Sequence, residues 1–233
     1  NLARMLGGQC LVAVIRRGKY LLLDFGHGHL LIHLGMSGSL RILPDSTARE
    51  THDHFDVELD SRWTLRFNDP RRFGYMKIIA RNALEDEPLL KGLGPEPLGN
   101  EFDAAMLARS CANKKTSLKA ALLDQRVVAG LGNIYVCEAL FRSHLSPRRL
   151  AATLATKKGE PTDHSTRLVT SIHAVLNQAI KAGGSSISDH RLTSGELGYF
   201  QHSFQVYDRE GEKCQTAGCS GIVRRFVQNG RST

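Results

Sequence analysis

The stretch GLGPEPLGN, residues 92–100, constrains this chain more than any other. Its two prolines and three glycines can continue neither a strand ladder nor a helix, so it reads as a domain boundary. The hydrophobic period changes across it. Before it, CLVAVIRRGKYLLLDF (10–25) and HLLIHLGMSGSLRIL (29–43) are rich in Val, Ile and Leu and broken by glycine-containing turns. HFDVELDSRWTLRFND (54–69) alternates apolar and polar residues around Asp60 and Ser61, as a hairpin does, and FGYMKIIA (73–80) adds a strand. Successive short strands with no helix between them predict an antiparallel sandwich. After the break, NEFDAAMLARSCAN (100–113) and TSLKAALLD (116–124) fit helices, the second with Thr116 or Ser117 as its N-cap. In DHSTRLVTSIHAVLNQAIKAGG (163–184), Leu168, Ile172, Val175, Ala179 and Ile180 fall on one helical face, which ends at Gly183 and Gly184. From Phe204 the pattern turns strand-like again, in FQVYDREGEKC and GIVRRFVQ. These periods predict an α+β chain: a β-sandwich over 1–92, helices over 93–200 and a small strand-built segment over 201–233.

Net charge narrows the class of partner. The chain carries +8 and has a pI near 9.4, which favours a polyanion, nucleic acid first. No run of about 18 apolar residues exists, so no membrane-spanning helix is expected. The five cysteines are odd in number, and only Cys214 and Cys219 form a close pair, which suits thiols in a reducing compartment over a disulfide framework.

The clearest chemistry lies in LDQRVVAGLGNIYVCEALF (123–141). It reads as a helix end, a glycine-rich turn and a second helix that starts at Asn133. The first amides of a helix have no internal partner and carry partial positive charge, and Gly130 and Gly132 would let an anion approach them. Lys114, Lys115 and Lys119 lie just upstream. A phosphate clamp and a plain helical hairpin with packing glycines fit this pattern equally well.

DQRVVAGLGNIYVCEALFRSHLSP resembles the helix–two-turn–helix signature of formamidopyrimidine-DNA glycosylases, and less closely that of endonuclease VIII enzymes. Further blocks that resemble the family follow its order: RRGKYLLL, HLGMSGSLRI, HDHFD, NDPRRFG, LGPEPL, GGSSISD, GYFQHSFQVYDREGEKC and GRST. The resemblance spans essentially the whole chain. It implies an N-terminal antiparallel β-sandwich, a central helix–two-turn–helix domain and a C-terminal zinc-finger β-hairpin, here truncated.

The same resemblance implies roles. Met36, Arg71 and Phe73 match the wedge that fills the gap left by an extruded base. An exposed Arg-Arg-Phe after Asp-Pro is suited to that, because Phe can stack and Arg can donate to an orphaned base. Lys19, His52, Arg72, Lys119, Asn133 and Arg231 match positions that contact DNA phosphates. Residues 182–200 match the loop that covers the everted base, with Tyr199 and Phe200 packing at its foot. Cys214 and Cys219 match half of a four-cysteine zinc site, so structural Zn2+ is expected in the full-length protein.

The family nucleophile is an N-terminal Pro followed by a Glu acid/base, and neither precedes Asn1, so no catalytic residue is assigned within this chain. The Pro and Glu segment is expected ahead of Asn1, and the second cysteine pair beyond Thr233. The expected protein is a bifunctional glycosylase and abasic-site lyase for oxidised purines. It would act as a monomer on damaged double-stranded DNA in the bacterial cytoplasm, at the nucleoid. An endonuclease VIII-like enzyme for oxidised pyrimidines and a non-catalytic DNA-binding paralogue are the alternatives.

Overall fold

The computed structural model describes residues 2–60, 62–185 and 198–233. The chain forms two compact units, Asn1–Lys91 with Ala182–Gln201, and Gly92–Lys181 with His202–Thr233.

The first unit is the β-sandwich. It opens with a short helix, α1 (Leu2–Leu6), which the sequence pattern did not suggest. Among the described residues seven strands follow: β1 (Ala13–Arg17), β2 (Tyr20–Asp24), β3 (Gly28–His33), β4 (Ser39–Pro44), β5 (Asp53–Glu58), β6 (Trp63–Asn68) and β7 (Tyr75–Ala80). They make two antiparallel sheets, ordered β1-β2-β3-β7 and β4-β6-β5. The segment 29–43 is two strands, because Leu34–Gly38 closes on itself through Gly38 N–H to Leu34 O and carries the chain from one sheet to the other.

Side-chain alternation explains the layers. Leu23, Leu30 and Ile32 of the four-stranded sheet meet Leu40 and Phe67 of the three-stranded sheet, with Leu2 and Leu6 of α1 packed against them. On the opposite face Leu22, Leu31 and Ile79 are covered by Leu89 and Leu90 of α2 (Pro88–Lys91). β3 is therefore buried on both faces, and each of its core leucines contributes roughly 1.5–3 kcal/mol of burial free energy.

The second unit is helical: α3 (Ala104–Cys111), α4 (Leu118–Leu123), α5 (Asn133–Arg142) and α6 (Asp163–Lys181). α6 packs on α3 and α5. Its buried stripe is Leu168, Val169, Ile172, Val175 and Ala179, but Ile180 is 65% exposed. Ile180 lies at the edge of the stripe, about 100° round from Ala179 and one residue from the end of α6, which corrects its expected place on that face.

The C-terminal segment has less strand than its composition suggested. Residues 204–210 form turns, 211–214 pair with 221–223 around an isolated bridge between Lys213 and Ile222, and the ladder there is the hairpin of β8 (Val227–Gln228) and β9 (Arg231–Ser232). The buried carboxylate of Glu138 on α5 takes the backbone N–H groups of Gln205, Val206 and Tyr207 at 2.9–3.0 Å. Amides pinned to a carboxylate are not available to a neighbouring strand. All five cysteines are free, and no helix among the described residues is long and apolar enough to cross a membrane.

Candidate nucleic-acid interface

Strand register gathers one group of site residues at a single end of the sandwich. Tyr20, His33 and Tyr75 are aligned across β2, β3 and β7, and their rings follow one another at 5.2 and 5.4 Å. Lys19 immediately precedes the first, the loop 34–38 follows the second, and the loop 69–74 precedes the third. In the other sheet Ser39, Asn68 and Asp53 are aligned, so His52 joins the same end.

Lys19 sits exposed in the β1–β2 turn, after Gly18 at φ 58°. Burial, and then the Lys19 charge, hold the His33 imidazole below its ordinary pKa. Met36 is 69% and Phe73 54% exposed, on two loops whose backbones meet at Gly35 and Gly74. The Arg71 guanidinium stands 4.9 Å from the Phe73 ring centroid. Arg72 is exposed with φ 57°, and His52 with φ 73°, both in the left-handed region.

The loop carrying His52 is tied to the loop carrying Arg71. Asp69 N–H donates to His52 O at 3.1 Å, and Asn68 Nδ2 donates to Thr51 O at 3.0 Å.

A second group forms in the helical unit. Ser117 caps α4 and accepts from Ala120 N–H, choosing between the two expected caps. The turn 124–132 is held from within by Gln125, whose amide donates to Leu123 O and Leu131 O and accepts from Gly130 N–H. Gly132 is extended and α5 starts at Asn133, as the helix-start pattern predicted. Asn133 Nδ2 donates to Ser232 O at 2.9 Å, while its Oδ1 is buried with no hydrogen-bond partner among the described residues.

Lys119 is buried in the first turn of α4, and its Nζ donates to Ser232 O and to Thr233 Oγ1. Burial lowers the Lys119 pKa, the Cys137 thiol offsets part of that, and the Arg231 charge lowers it further. Arg231 itself is exposed beside the β8–β9 turn. That turn uses Asn229 at φ 51° and Gly230 at φ 70°, the Asn-Gly geometry whose twist suits a two-residue hairpin. Gln228 Nε2 reaches Pro147 O at 3.3 Å, and Arg148 lies 4.0 Å over the Phe226 ring, so the hairpin is fixed to the segment after α5.

Cys214 and Cys219 lie on a turn closed by Cys214 N–H to Gly221 O and Cys219 N–H to Thr216 O. Gly221 N–H points at Cys219 Sγ at 3.4 Å, and hydrogen bonds, first from the Thr216 side chain and backbone, hold Cys214 below the ordinary thiol range. Two thiols fed by backbone amides fit half of a tetrahedral zinc site. Among the described residues no group of three or more metal-ligating side chains accompanies them. Most of the expected base-covering loop, 186–197, lies outside the described residues. At its foot Phe200 is buried as expected, whereas Tyr199 is 66% exposed.

Four residues matter here that the sequence reading passed over: Ser37, Asp69, Gln125 and Glu138. All bond to backbone, and Asp69 could have been singled out as the residue before the proline of NDPRRFG.

The first 76 residues match the family described as formamidopyrimidine-DNA glycosylase N-terminal domain, and residues 93–191 match its H2TH domain. The chain is 69% identical over 241 residues to the formamidopyrimidine-DNA glycosylase of Bradyrhizobium diazoefficiens, covering 98% of this chain and 82% of that protein. Its fold is similar to MutM (Fpg) of Thermus thermophilus, with TM-score 0.84 and 40% identity over 97% of this chain and 81% of that one. It is also similar to Lactococcus lactis Fpg solved with DNA containing an abasic site, with TM-score 0.87 and 33% identity over 100% of this chain and 82% of that one. With its sandwich and helix–two-turn–helix domain, the chain belongs to the formamidopyrimidine-DNA glycosylase family.

Proposed function

We propose that this chain binds damaged duplex DNA, holds the damaged nucleotide out of the stack, and serves the excision of oxidised purines such as 8-oxoguanine and ring-opened formamidopyrimidines. The observation that carries the reading is the exposure of Met36 and Phe73 beside Arg71 on two adjoining loops. A base cannot be processed inside a duplex, and its extrusion costs a few kcal/mol. Apolar side chains inserted in the gap recover stacking, and a guanidinium supplies donors to the widowed partner base. Lys19, His52 and Arg72 flank the wedge and would hold backbone phosphates. Asn133 and Arg231 would do the same in the helical unit, with Lys119 anchoring the strand that carries Arg231. Such contacts make affinity fall steeply with salt.

Base loss and cleavage of the abasic strand would proceed through a Schiff base, and no residue of this chain is assigned as its amine. Cys214 and Cys219 would be two ligands of a structural Zn2+, which would stiffen the hairpin segment without touching the chemistry. The protein would act as a monomer on bacterial chromosomal DNA.

The test is binding to a duplex with one tetrahydrofuran abasic analogue and to its intact counterpart, from 50 to 200 mM salt. The damaged duplex should bind at least about tenfold more tightly, and Phe73→Ala should erase most of that preference. Equal binding to both duplexes would overturn the reading. Borohydride trapping on a natural abasic site checks the second part: an adduct lost in Lys19→Ala would show that an amine of this chain does form the Schiff base.

A further inference from the structure

We infer that Asp69 and Ser37 are positioning residues that fasten the two wedge loops into one insertion unit before DNA arrives. The inference rests on the wedge reading above and adds what makes the wedge work. Both loops cross from one sheet to the other at the same end of the sandwich: 34–38 joins β3 to β4, and 69–74 joins β6 to β7. Their apolar tips project outward, so no core packing holds Met36 or Phe73 in place. The order has to come from beneath.

It comes from a buried carboxylate. Asp69 is fully buried and Ser37 nearly so. Ser37 Oγ donates to Asp69 Oδ1 at 2.5 Å and accepts from Arg71 N–H at 3.2 Å. Gly74 N–H donates to Asp69 Oδ2 at 2.7 Å, and Arg72 N–H to Asp69 O at 3.3 Å. One hydroxyl and one carboxylate thus bridge the Met36 loop to both sides of Arg71–Phe73. The backbones also touch. A Cβ on Gly35, at φ +68°, would stand 2.6 Å from Gly74 N and 2.9 Å from Phe73 Cβ, so only glycine permits the approach.

The bonds that matter run between the two loops. A loop needing only local satisfaction could take its acceptors from itself, as 34–38 does with Gly38 and Leu34. A bridged pair inserts as a rigid block and loses little freedom on binding.

Full-length chain would be tested as Ser37→Ala and Asp69→Asn, with Phe73→Ala as reference. Two probes are used: the tetrahydrofuran duplex with its intact counterpart, and the same duplex with 2-aminopurine beside the gap, whose fluorescence rises when it is unstacked. Ser37→Ala should bind intact DNA within about twofold of the parent, yet lose roughly tenfold of its preference for the gapped duplex together with the fluorescence rise. Adding it to Phe73→Ala should cost little more, because both act on one wedge. Folding is followed by thermal unfolding, and if Asp69→Asn does not fold, Ser37→Ala decides alone. A folded Ser37→Ala that keeps the preference and the fluorescence overturns the inference. If Phe73→Ala also keeps both, the wedge reading fails with it; if Phe73→Ala loses them, only the clasp fails.

Discussion

Lys119 and Asn133 donate to one and the same atom, the carbonyl oxygen of Ser232, at 2.6 and 2.9 Å. A carbonyl has two acceptor sites, so this pair saturates it and fixes β9 against the start of α5. Arg231 precedes Ser232, and its exposed guanidinium is presented from that fixed strand. Two helices thereby set the direction of a single cation.

The relationship separates charge from scaffolding in DNA binding. Arg231→Ala should weaken binding to every duplex alike and reduce the slope of log K against log salt by about one. Asn133→Ala, which removes no charge, should weaken binding with the slope unchanged. Titrations at four salt concentrations distinguish the two. A slope that moves equally in both variants would show that Asn133 acts through Arg231 alone.

Glu138 should govern the stability of the helical unit. Its carboxylate is buried and accepts three successive backbone amides, from Gln205 to Tyr207. Hydrogen bonds to a charged group are worth about 1.5–3 kcal/mol each in favourable cases, and unsatisfied buried amides cost about 1–3 kcal/mol. Glu138→Ala is expected to lower stability by roughly 3 kcal/mol or more, with Glu138→Gln intermediate. Urea unfolding gives the size, and hydrogen exchange at residues 205–207 gives the place. Unchanged protection there in Glu138→Ala would contradict the assignment.

The legible parts of this molecule are those governed by period and composition. The alternation through 54–69 announced the β5–β6 hairpin, and the stripe from Leu168 to Ala179 announced α6. The glycine-rich turn placed the start of α5 at Asn133 because helix starts are set locally. The exposure of Phe73 was legible only through resemblance, since a lone Phe in a hairpin is ordinarily buried. Residues 204–210 misled for a physical reason: the run is strand-like, but Glu138, distant in sequence, takes the amides of Gln205, Val206 and Tyr207, and pairing is reached only at 211–214, opposite 221–223. The bridge between Ser37 and Asp69 was invisible for the same reason, because bonds between loops distant in sequence leave no periodic trace, although Asp-Pro alone marks Asp69 as a turn residue.

Arg66 should be among the costliest side chains to remove from the sandwich. Its side chain is 4% exposed and pairs with Asp56 at 2.9 Å and Asp53 at 3.5 Å, themselves nearly buried. Arg66→Ala would leave Asp56 with only the exposed Arg49 and take one of two guanidinium partners from Asp53, which keeps Arg41, and breaking one side of a buried pair costs about 3–5 kcal/mol. Adding Asp56→Asn should recover part of the loss, since the stranded charge is what hurts. Chemical unfolding of the single and double variants measures both; additive losses would mean the pair is not coupled.

Acid should unfold the sandwich through the same carboxylates. Burial pushes Asp53, Asp56 and Asp69 upward, but it is outweighed in each: by hydrogen bonds from Glu50 N–H and Asn68 and the charges of Arg41 and Arg66 at Asp53, by the hydrogen bonds and charges of Arg66 and Arg49 at Asp56, and by hydrogen bonds from Ser37 and the Gly74 amide at Asp69. All three therefore titrate below their unfolded value of about 3.9. The unfolded chain binds more protons in that range, so their contribution is fully present above about pH 5 and is lost as pH falls through the lowered native values. The urea midpoint should hold steady from pH 7 to about 5 and then fall steeply. Asp53→Asn should be less stable at pH 6 but lose less between pH 5 and 3, because one of the three shifted groups is gone. Parallel curves for parent and variant down to pH 3 would assign the acid sensitivity to other groups.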